Sequence, residues 1–256
     1  MQLPILVYHY FGLSRRAATG IKEEDVGFVT PIDLFREHLS FLNDQGYRAI
    51  TLETLLSARS GGKPLPPKPI IISIDDGHAS VAEFAAPELQ KLRWPAELFV
   101  IPARVGEPGY LQWQELRELG TIDIASQSHA LTHRLLNRLP EVEIEQELVD
   151  SKRVIEDHTG IAVKALSVPM GGYPRATYKI ALAADYQIVC TSYYGIGDPG
   201  GDLYHLPRIM MRSPYDSVAQ LDALLHERTS LALRLKARNL AKRAKNAYIG
   251  LLSGNS

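Results

Sequence analysis

The order of the predicted elements indicates an α/β fold in which helices wrap a parallel β-sheet. Short apolar runs typical of buried strands alternate along the chain with segments of helical periodicity, and loops rich in Gly and Pro separate them. This alternation is the pattern of α/β proteins with parallel sheets. The length of 256 residues is one that α/β barrels occupy as a single domain. We therefore expect one α/β domain with its own core.

Apolar runs locate the strands, and helical periodicity locates the helices. One helix is expected to begin with Thr30 as its N-cap and Pro31 at its first helical position, and to end at Gly46. Pro87 should kink or restart a second helix. Residues 11–29 are polar and interrupted by Gly, which predicts a loop. The strands are predicted at 3–9, 47–50, 70–76, 96–101, 121–126, 164–168 and 186–191, and the other helices at 52–58, 79–92, 111–119, 141–158 and 178–184.

The strand that begins at Ile70 ends in two adjacent carboxylates, Asp75 and Asp76, followed by Gly77. A buried strand with this ending delivers both acids to its carboxyl edge, where α/β folds carry their active sites. Asp and Gly are also favoured in ordinary turns. The stretch is therefore either half of a site or a simple turn, and other residues must decide between them.

Two histidines offer the other half of a site. His129 and His133 follow a predicted strand and are four residues apart, so on a helical turn their imidazoles would lie on one face and reach one ion. Two polar side chains at a helix start are the alternative. With one Asp the pair forms the ligand set of catalytic zinc sites and of other borderline divalent ions. The neighbouring Asp would stay free to act as a general base.

Together these motifs resemble those of the polysaccharide deacetylase family, which is also called the NodB-homology domain or carbohydrate esterase family 4. Residues 73–77, Ser-Ile-Asp-Asp-Gly, resemble its T-F-D-D-G motif, and residues 129–133, His-Ala-Leu-Thr-His, resemble its H-[ST]-x-x-H motif. The resemblance extends over roughly residues 3–212. The further matching segments are Pro87–Leu89, Ala96–Val100, Tyr110–Trp113, the helix from Glu147 to Gly160, Pro169–Tyr173 and Leu206–Arg208.

The resemblance implies a fold and a reaction. The fold would be a single-domain, distorted (β/α)7-type barrel with fewer than eight complete units. Asp75 would be the general base, and Asp76, His129 and His133 would bind a divalent metal ion. Zn²⁺ is the expected ion, with Co²⁺ or Ni²⁺ as alternatives. The reaction would remove an N-acetyl group from an amino sugar.

The sequence departs from the family at its third motif. The usual R-x-P-x-G, whose arginine orients the catalytic Asp, is replaced here by Ser167 to Gly171, Ser-Val-Pro-Met-Gly. Because serine cannot replace a guanidinium, either another cation holds Asp75 or the site is weakened. We predict that Arg208 is the substitute; an exposed loop arginine is the alternative.

Four more residues are predicted to contact the substrate. After Pro169, the backbone N–H of Met170 is expected to face the acyl oxygen, because an oxyanion donor needs backbone geometry rather than a particular side chain. Tyr173 follows in the same segment and is a candidate for stacking on a sugar ring, with a core or rim position as the alternative. His78 directly follows the Asp-Asp-Gly stretch, where it would contact substrate or cap the next helix.

A histidine that protonates the leaving amine completes the family's machinery. Residues 224–226, Leu-Leu-His, match the usual L-x-H letters, but they lie in a helical pattern without the expected strand. His9, at the end of the first predicted strand, is the better candidate. This placement resembles the branch of poly-N-acetylglucosamine deacetylases in which that strand is moved to the N-terminus. A core histidine satisfied by hydrogen bonds is the alternative.

Charge is distributed unevenly along the chain. Residues 1–227 carry a net charge of −8, whereas residues 228–256 contain seven Lys or Arg and no Asp or Glu. We therefore divide the chain into a deacetylase-like domain, residues 1–227, and a basic C-terminal helix or tail, residues 228–256. A basic helix with apolar residues can lie on an anionic membrane surface, although a solvated terminal helix is equally compatible. No nucleic-acid partner is expected.

The remaining composition indicates location and cysteine chemistry. Cys190 is the only cysteine and lies in an apolar run, which is typical of a buried structural thiol. The N-terminus lacks a basic segment followed by a long apolar run, so a cytoplasmic location, peripheral to the membrane if the tail binds it, is expected.

We therefore predict a metal-dependent hydrolase that removes N-acetyl groups from amino sugars of a polysaccharide, oligosaccharide or lipid-linked glycan. A carbohydrate-binding protein with weakened catalysis is the alternative that the missing third-motif arginine motivates. A metal hydrolase that acts on a non-sugar amide would keep the same site and differ only in substrate.

Overall fold

The structure is a computed structural model in which residues 1–16, 20–171, 176–227 and 229–252 are described. Its strands are β1 (Ile5–Tyr8), β2 (Tyr10–Gly12), β3 (Val29–Pro31), β4 (Arg48–Ala49), β5 (Pro69–Asp76), β6 (Ala96–Val100), β7 (Ile124–Ser128), β8 (Ala165–Ser167), β9 (Ile188–Tyr194) and β10 (Leu206–Met210). Its helices are α1 (Ile32–Asp44), α2 (Leu52–Arg59), α3 (Ala86–Leu92), α4 (Trp113–Gly120), α5 (Glu141–Thr159), α6 (Ala176–Ala183), α7 (Val218–Leu225) and α8 (Ser230–Leu252).

The strands of the main sheet close into a parallel barrel. Strands β5 to β10 pair in chain order, and β1 joins the two ends by pairing with β10 on one side and β5 on the other. All of these pairings are parallel. The short β4 pairs with the beginning of β5, and β2 and β3 form a separate parallel pair. The predicted single-domain α/β barrel with fewer than eight complete units is confirmed.

Side chains of β5 point alternately to its two faces, so this strand contributes to two hydrophobic clusters and to the site. Ile70, Ile72 and Ile74 pack in the core beneath the helices, whereas Ile71 belongs to a second cluster built from the inner faces of the barrel strands and from α2. Successive residues of a strand point to opposite faces. Asp75 shares the inward phase of Ile71, and the strand therefore delivers its carboxylate to the inside of the barrel mouth.

Two local predictions near the N-terminus are wrong. Thr30 does not cap a helix, because it lies in β3 and helix α1 begins at Ile32 with Pro31 as its N-cap. Residues 11–29 are not one loop: they include part of β2, a 3₁₀ helix over Glu23–Phe28 and the start of β3. Pairing of β2 with β3 joins residues far apart in sequence, which local periodicity cannot reveal.

The Pro87 prediction is confirmed as a restart. A π-helical turn over Val81–Ala85 runs into α3, and Pro87 lies in the first turn of α3, where the missing N–H of proline costs nothing. Arg93 ends α3 in a left-handed conformation. Strand β10 was not among the strands expected from the sequence. Within the described ranges, no helix has the length and apolar character needed to cross a bilayer.

Candidate active site

The predicted site residues meet at the carboxyl end of the barrel. They surround a cavity of about 810 Å³ whose walls come from the ends of several strands, from the segment that precedes β3, and from α8. Carboxyl ends of parallel strands lie together at one edge, which is why residues distant in sequence converge there. The predicted residues that line it are His9, Asp75, Asp76, His78, His129, His133, Met170 and Arg208.

Asp76, His129 and His133 place three ligand atoms within 4.8 Å of one another. The Nε2 atom of His129 lies 3.6 Å from Asp76 Oδ1, and the Nε2 atom of His133 lies 3.8 Å from the same oxygen. Asp76 has φ 78°, a left-handed conformation that Asp tolerates better than most residues. This turn re-aims a side chain that strand alternation would otherwise direct away from Asp75.

The helical turn expected at His129 to His133 is absent, and that premise is wrong. His129 continues the strand direction by donating its N–H to Val100 O at 2.8 Å, and both Ala130 and His133 have positive φ values. Glu147 of α5 holds the loop instead. Its backbone oxygen accepts from Leu131 N at 3.0 Å and its carboxylate accepts from Thr132 N at 2.8 Å. The imidazoles converge because of this anchored loop, with ring centroids 4.7 Å apart.

Hydrogen bonds orient two of the three candidate ligands. Tyr10 Oη donates to Asp76 Oδ2 at 2.8 Å, which leaves Oδ1 facing the two histidines. His129 Nδ1 lies 2.7 Å from the carbonyl oxygen of Ser167, and because a carbonyl only accepts, Nδ1 must be the donor. The lone pair of neutral His129 is therefore on Nε2, the atom that faces the aspartates. This is the arrangement by which proteins orient metal-binding histidines.

The donor set fits a divalent metal ion. Two imidazole nitrogens and one carboxylate oxygen are the ligands of catalytic zinc sites, which leave further coordination open. Burial, and then the neighbouring His129, lowers the pKa of His133, so its imidazole is in the neutral, ligand-ready form at neutral pH. The orientation of His129 by the Ser167 carbonyl provides a second, independent sign of the same preparation.

Asp75 is held by Arg208. The guanidinium donates from Nη1 to Oδ1 and from Nη2 to Oδ2, both at 2.8 Å, while Nη2 also donates to Ser167 Oγ at 2.7 Å. Ser167 Oγ in turn lies 3.1 Å from Asp75 Oδ2. Arg208 belongs to β10 and is buried, so it is not an exposed loop arginine. Serine at position 167 thus shares in a hydrogen-bond network rather than leaving a gap.

The same network sets the charge of Asp75. Burial alone would raise the pKa of this carboxyl, but the Arg208 guanidinium, followed by His129, holds it well below its usual range. Asp75 is therefore ionised throughout the physiological pH range. Its Oδ2 lies 3.8 Å from His129 Nε2, which places an ionised proton acceptor directly beside the candidate metal ligands.

His9 follows β1 and lines the cavity. Its ring lies against Phe28, with centroids 4.8 Å apart, and its buried Nδ1 atom has no hydrogen-bond partner among the described residues. Burial lowers the pKa of His9, while the charges of Asp76 and Asp75 oppose that effect. The core-histidine alternative requires satisfied hydrogen bonds, and the free Nδ1 does not meet that requirement.

His226 lies elsewhere. It ends α7 on the exposed surface, where its Nδ1 lies 2.9 Å from Asp222 O and 3.1 Å from Asp222 Oδ1. It is not among the residues that line the cavity. Of the two histidines that the sequence offers as acid, the structure thus brings only His9 to the site.

The remaining predicted substrate contacts have different placements. Met170 follows Pro169 in a turn, where its backbone is left-handed (φ 51°) rather than helical, and it lines the cavity with an exposed side chain. His78 Nδ1 accepts from Ser80 N at 3.1 Å, which caps the next helical segment, and its ring meets Tyr10 edge-on at 5.2 Å. Tyr173 lies outside the described residues.

The roles of two residues at this site were not predicted from the sequence. Tyr10 is absent from the motifs, and its role depends on a hydrogen bond to Asp76, 66 positions away in the chain. Ser167 was identified only as the residue that replaces the arginine of the third motif. A signal for Tyr10 existed in its position directly after His9 at the end of β1, since the carboxyl ends of parallel strands share one edge.

Comparison with known proteins assigns the family. The polysaccharide deacetylase family model matches residues 62–189. The chain is 27% identical over 208 residues to YxkH of Bacillus subtilis strain 168, a protein whose name places it among polysaccharide deacetylases; the alignment covers 81% of this chain and 71% of that one.

Two further proteins are similar. The chain is 23% identical over 192 residues to the poly-beta-1,6-N-acetyl-D-glucosamine N-deacetylase of Staphylococcus aureus strain MSSA476, covering 69% of this chain and 66% of that one. The structure of BC0361, a polysaccharide deacetylase from Bacillus cereus, matches with a TM-score of 0.74 and 26% identity over 88% of this chain and 69% of that one. The Staphylococcus relative is consistent with the branch expected from the sequence. The chain belongs to the polysaccharide deacetylase family.

Proposed function

We propose that this protein is a metal-dependent hydrolase that removes N-acetyl groups from amino sugars of a glycan or glycolipid. The observation that carries the proposal is the convergence of Asp76, His129 and His133 within 4.8 Å beside an ionised, Arg208-bound Asp75. Such a site combines a place for a divalent ion with a proton acceptor. Metal-assisted hydrolysis of an unactivated amide uses both.

Asp76, His129 and His133 would hold the ion, with Zn²⁺ preferred for this ligand set and Co²⁺ or Ni²⁺ as alternatives. When bound, such an ion supplies Lewis-acid polarisation of the acetyl carbonyl and lowers the pKa of water. The contribution of the chain is to orient the ligands and, through burial, to lower the pKa of His133. Tyr10 and the Ser167 carbonyl perform the orientation.

Asp75 accepts the proton of the attacking water. The two N–H bonds from Arg208 fix its plane, and the free side of Oδ2 faces His129. A general base must lie within hydrogen-bond reach of the proton that it takes. The position of Asp75 at the inner edge of β5 provides that reach for a water beside the three ligands.

Met170 and His9 would act on the two ends of the amide. The Met170 N–H donates to the acyl oxygen as negative charge develops there, which a preorganised backbone donor does effectively in a water-poor site. His9 gives a proton to the leaving nitrogen. In its favour are its place on the cavity wall and the Nδ1 atom that lacks a partner among the described residues. Acetate and a free amino sugar result.

The substrate class rests on the relatives. The Staphylococcus relative is named for poly-N-acetylglucosamine, and a cavity of about 810 Å³ accommodates more than one sugar ring. The alternative, a carbohydrate-binding protein without turnover, was motivated by the absence of the third-motif arginine that would hold Asp75. Arg208 supplies the missing cation, so no observation now favours a protein without turnover.

The test is acetate release from N-acetylated chito-oligosaccharides. Protein stripped with a chelator should be inactive, and stoichiometric Zn²⁺ should restore release. Asp75→Asn should bind Zn²⁺ normally yet lose activity, whereas Asp150→Asn, an exposed change on α5, should behave like the parent. Release that survives both chelation and Asp75→Asn would rule out the proposed chemistry.

We also propose that α8 touches an anionic membrane surface at the cytoplasmic face. Its Leu233 and Leu240 are each 68% exposed, and basic residues flank them, a combination that favours anionic lipid surfaces. Co-sedimentation with vesicles containing phosphatidylglycerol should fall in Leu233→Ser/Leu240→Ser. Equal recovery of parent and variant would reject this contact. Point variants are preferable to removal of α8, because other α8 residues pack on the barrel core.

A further inference from the structure

Helix α8 is a wall of the active-site cavity and not a free tail. Asn239 clamps it to β9, because its Oδ1 accepts from Tyr194 N at 3.1 Å and its Nδ2 donates to Tyr194 O at 2.7 Å. Ala232 is fully buried, and Leu231 and Leu235 pack against the main core. The orientation of the helix over the barrel is therefore fixed by both polar and apolar contacts.

One face of α8 points into the cavity. Leu235, Arg238, Asn239 and Lys242 all line it, and their spacing of three and four residues places them on one side of a helix. The exposed Leu233 and Leu240 lie on the opposite side. The basic charge of this segment is thus divided between the outer surface and the interior of the site.

Lys242 reaches the turn that carries the proposed oxyanion donor. Its Nζ donates to Ser192 Oγ of β9 at 2.6 Å, and a Cβ placed on Gly171 would lie 2.8 Å from the same Nζ. The ammonium therefore lies directly beside the residue that follows Met170. Arg238 is one helical turn away on the same face.

The positive charges that α8 contributes to the cavity have no carboxylate partner. No carboxylate of the described residues lies within ion-pairing distance of Arg238 or Lys242, both of which line the cavity. Arg212, which also lines the cavity, lies over the Phe28 ring, 4.7 Å from its centroid. Partial burial, followed by the charge of Arg238, lowers the pKa of Lys242. Like charges held together in this way gain from an anion between them.

The other cations of the cavity have partners. Arg208 pairs with Asp75, Arg104 lies 3.5 Å from Glu107, and Lys22 lies 4.0 Å from Glu24. The contrast separates the cavity into a side with the candidate metal ligands and a cationic side on α8. A neutral glycan offers the cationic side hydroxyl and amide oxygens but no balancing negative charge, and a deacetylated glycan would be repelled by it.

We propose that Arg238 and Lys242 bind a phosphate group of the substrate while its N-acetyl group lies at Asp76, His129 and His133. The inference rests on the proposed deacetylase function and narrows its substrate to a phosphorylated amino-sugar glycan. Phosphate is favoured because its several charged oxygens can accept from a guanidinium and an ammonium together.

Binding tests the site independently of turnover. Cellobiose and cellobiose 1-phosphate cannot be deacetylated, and calorimetry on the zinc-loaded protein should give a Kd for the phosphate form at least about tenfold lower, the factor that about 1.4 kcal/mol produces. Arg238→Gln/Lys242→Gln should abolish the difference. The matched control Arg234→Gln/Lys236→Gln removes two charges from positions of α8 outside the cavity lining and should retain it.

Activity then separates the two proposals. Zinc-loaded parent should deacetylate diacetylchitobiose 1-phosphate with a higher kcat/KM than diacetylchitobiose, and Arg238→Gln/Lys242→Gln should lose that preference through KM. Equal Kd values for the cellobiose pair, or equal loss in the control variant, would overturn the phosphate site while leaving the deacetylase intact. A phosphate preference without acetate release from any saccharide would instead reject the deacetylase and leave the site standing.

The source of the phosphate can be distinguished with the same variants. A lipid-linked substrate in vesicles should lose turnover in Leu233→Ser/Leu240→Ser, whereas the soluble phosphate disaccharide should be unaffected. If the lipid-linked form is not turned over and the soluble form is, the phosphate belongs to a water-soluble saccharide.

Discussion

Arg208 donates two hydrogen bonds of 2.8 Å to the two carboxylate oxygens of Asp75, and the same guanidinium donates to Ser167 Oγ at 2.7 Å. The family motif has an arginine at the position of Ser167. In this chain the positive charge comes instead from Arg208 of β10, whose guanidinium lies beside Ser167. The departure of the third motif is a relocation of the cation within the barrel and not its loss.

Removal of this cation should damage both stability and activity. In Arg208→Met, the buried Asp75 loses its partner, and breaking a buried ion pair from one side costs about 3–5 kcal/mol. The pKa of Asp75 should rise because burial is then opposed only by His129 and His9. Urea unfolding should show a lower free energy of unfolding, and acetate release should fall well over tenfold.

A second-site change provides the control for this prediction. Because Ser167 Oγ already touches the guanidinium, Ser167→Arg in an Arg208→Ser background should return a cation to Asp75 and recover part of the lost activity and stability. If Arg208→Met unfolds at the same urea concentration as the parent and keeps its activity, the ion pair does not have the role that its geometry indicates.

Tyr10→Phe should weaken metal binding without removing a ligand. The change deletes the 2.8 Å hydrogen bond that fixes Asp76, and loss of such outer partners typically reduces metal affinity about 10–100-fold. Competition with a chromophoric chelator measures the affinity for Zn²⁺. Tyr204→Phe, which deletes a hydroxyl bonded to Tyr186 O away from the site, should bind as tightly as the parent; unchanged affinity in both variants would contradict the assignment.

His9→Ala should slow the breakdown of amides more than that of activated esters. A general acid contributes about 10²–10⁴-fold when the leaving group is a poor one, and an amine must be protonated to depart. Release of acetate from N-acetyl sugars should therefore fall strongly, while hydrolysis of 4-nitrophenyl acetate, whose leaving group needs no proton, should change little. Equal losses on both substrates would indicate a positioning role instead.

Glu97 should make stability depend on pH. This buried carboxyl of β6 accepts from Leu52 N at 2.6 Å and from Gln127 Nε2 at 3.0 Å. Burial nevertheless raises its pKa from 4.5 to about 7, against the effect of those two bonds. The folded protein therefore binds more protons than the unfolded chain between these pH values. Stability from this group is complete below pH 4.5 and is lost as pH rises through about 7.

The measurement compares Glu97→Gln with the parent. From pH 5 to pH 8.5 the parent should lose up to about 3 kcal/mol more unfolding free energy than the variant, since a tenfold change in proton affinity is worth about 1.4 kcal/mol. All other titrating groups are common to both proteins and cancel in the difference. Parallel pH profiles would show that Glu97 stays ionised in the folded state.

Much of the fold was accessible from local patterns. The Ile-rich run before Asp75 predicts a strand because alternation and β-branched residues act over a few residues, and β5 is present with both acids at its end. The spacing of His129 and His133 predicted convergence correctly but for a wrong reason. Positive φ values and an anchor from Glu147, not a helical turn, bring the rings together.

The sequence by itself determined which groups this protein can use: two adjacent carboxylates after a strand, two histidines, an early histidine and a basic C-terminal segment, all recognisable within short windows. Only the tertiary structure decided what holds them. Arg208 and Asp75 are 133 positions apart, Tyr10 and Asp76 are 66 apart, and α8 becomes a cavity wall through a clamp across 45. The first two pairings follow from barrel closure, which brings strand ends together whatever their distance along the chain, and the third follows from the packing of α8 on β9.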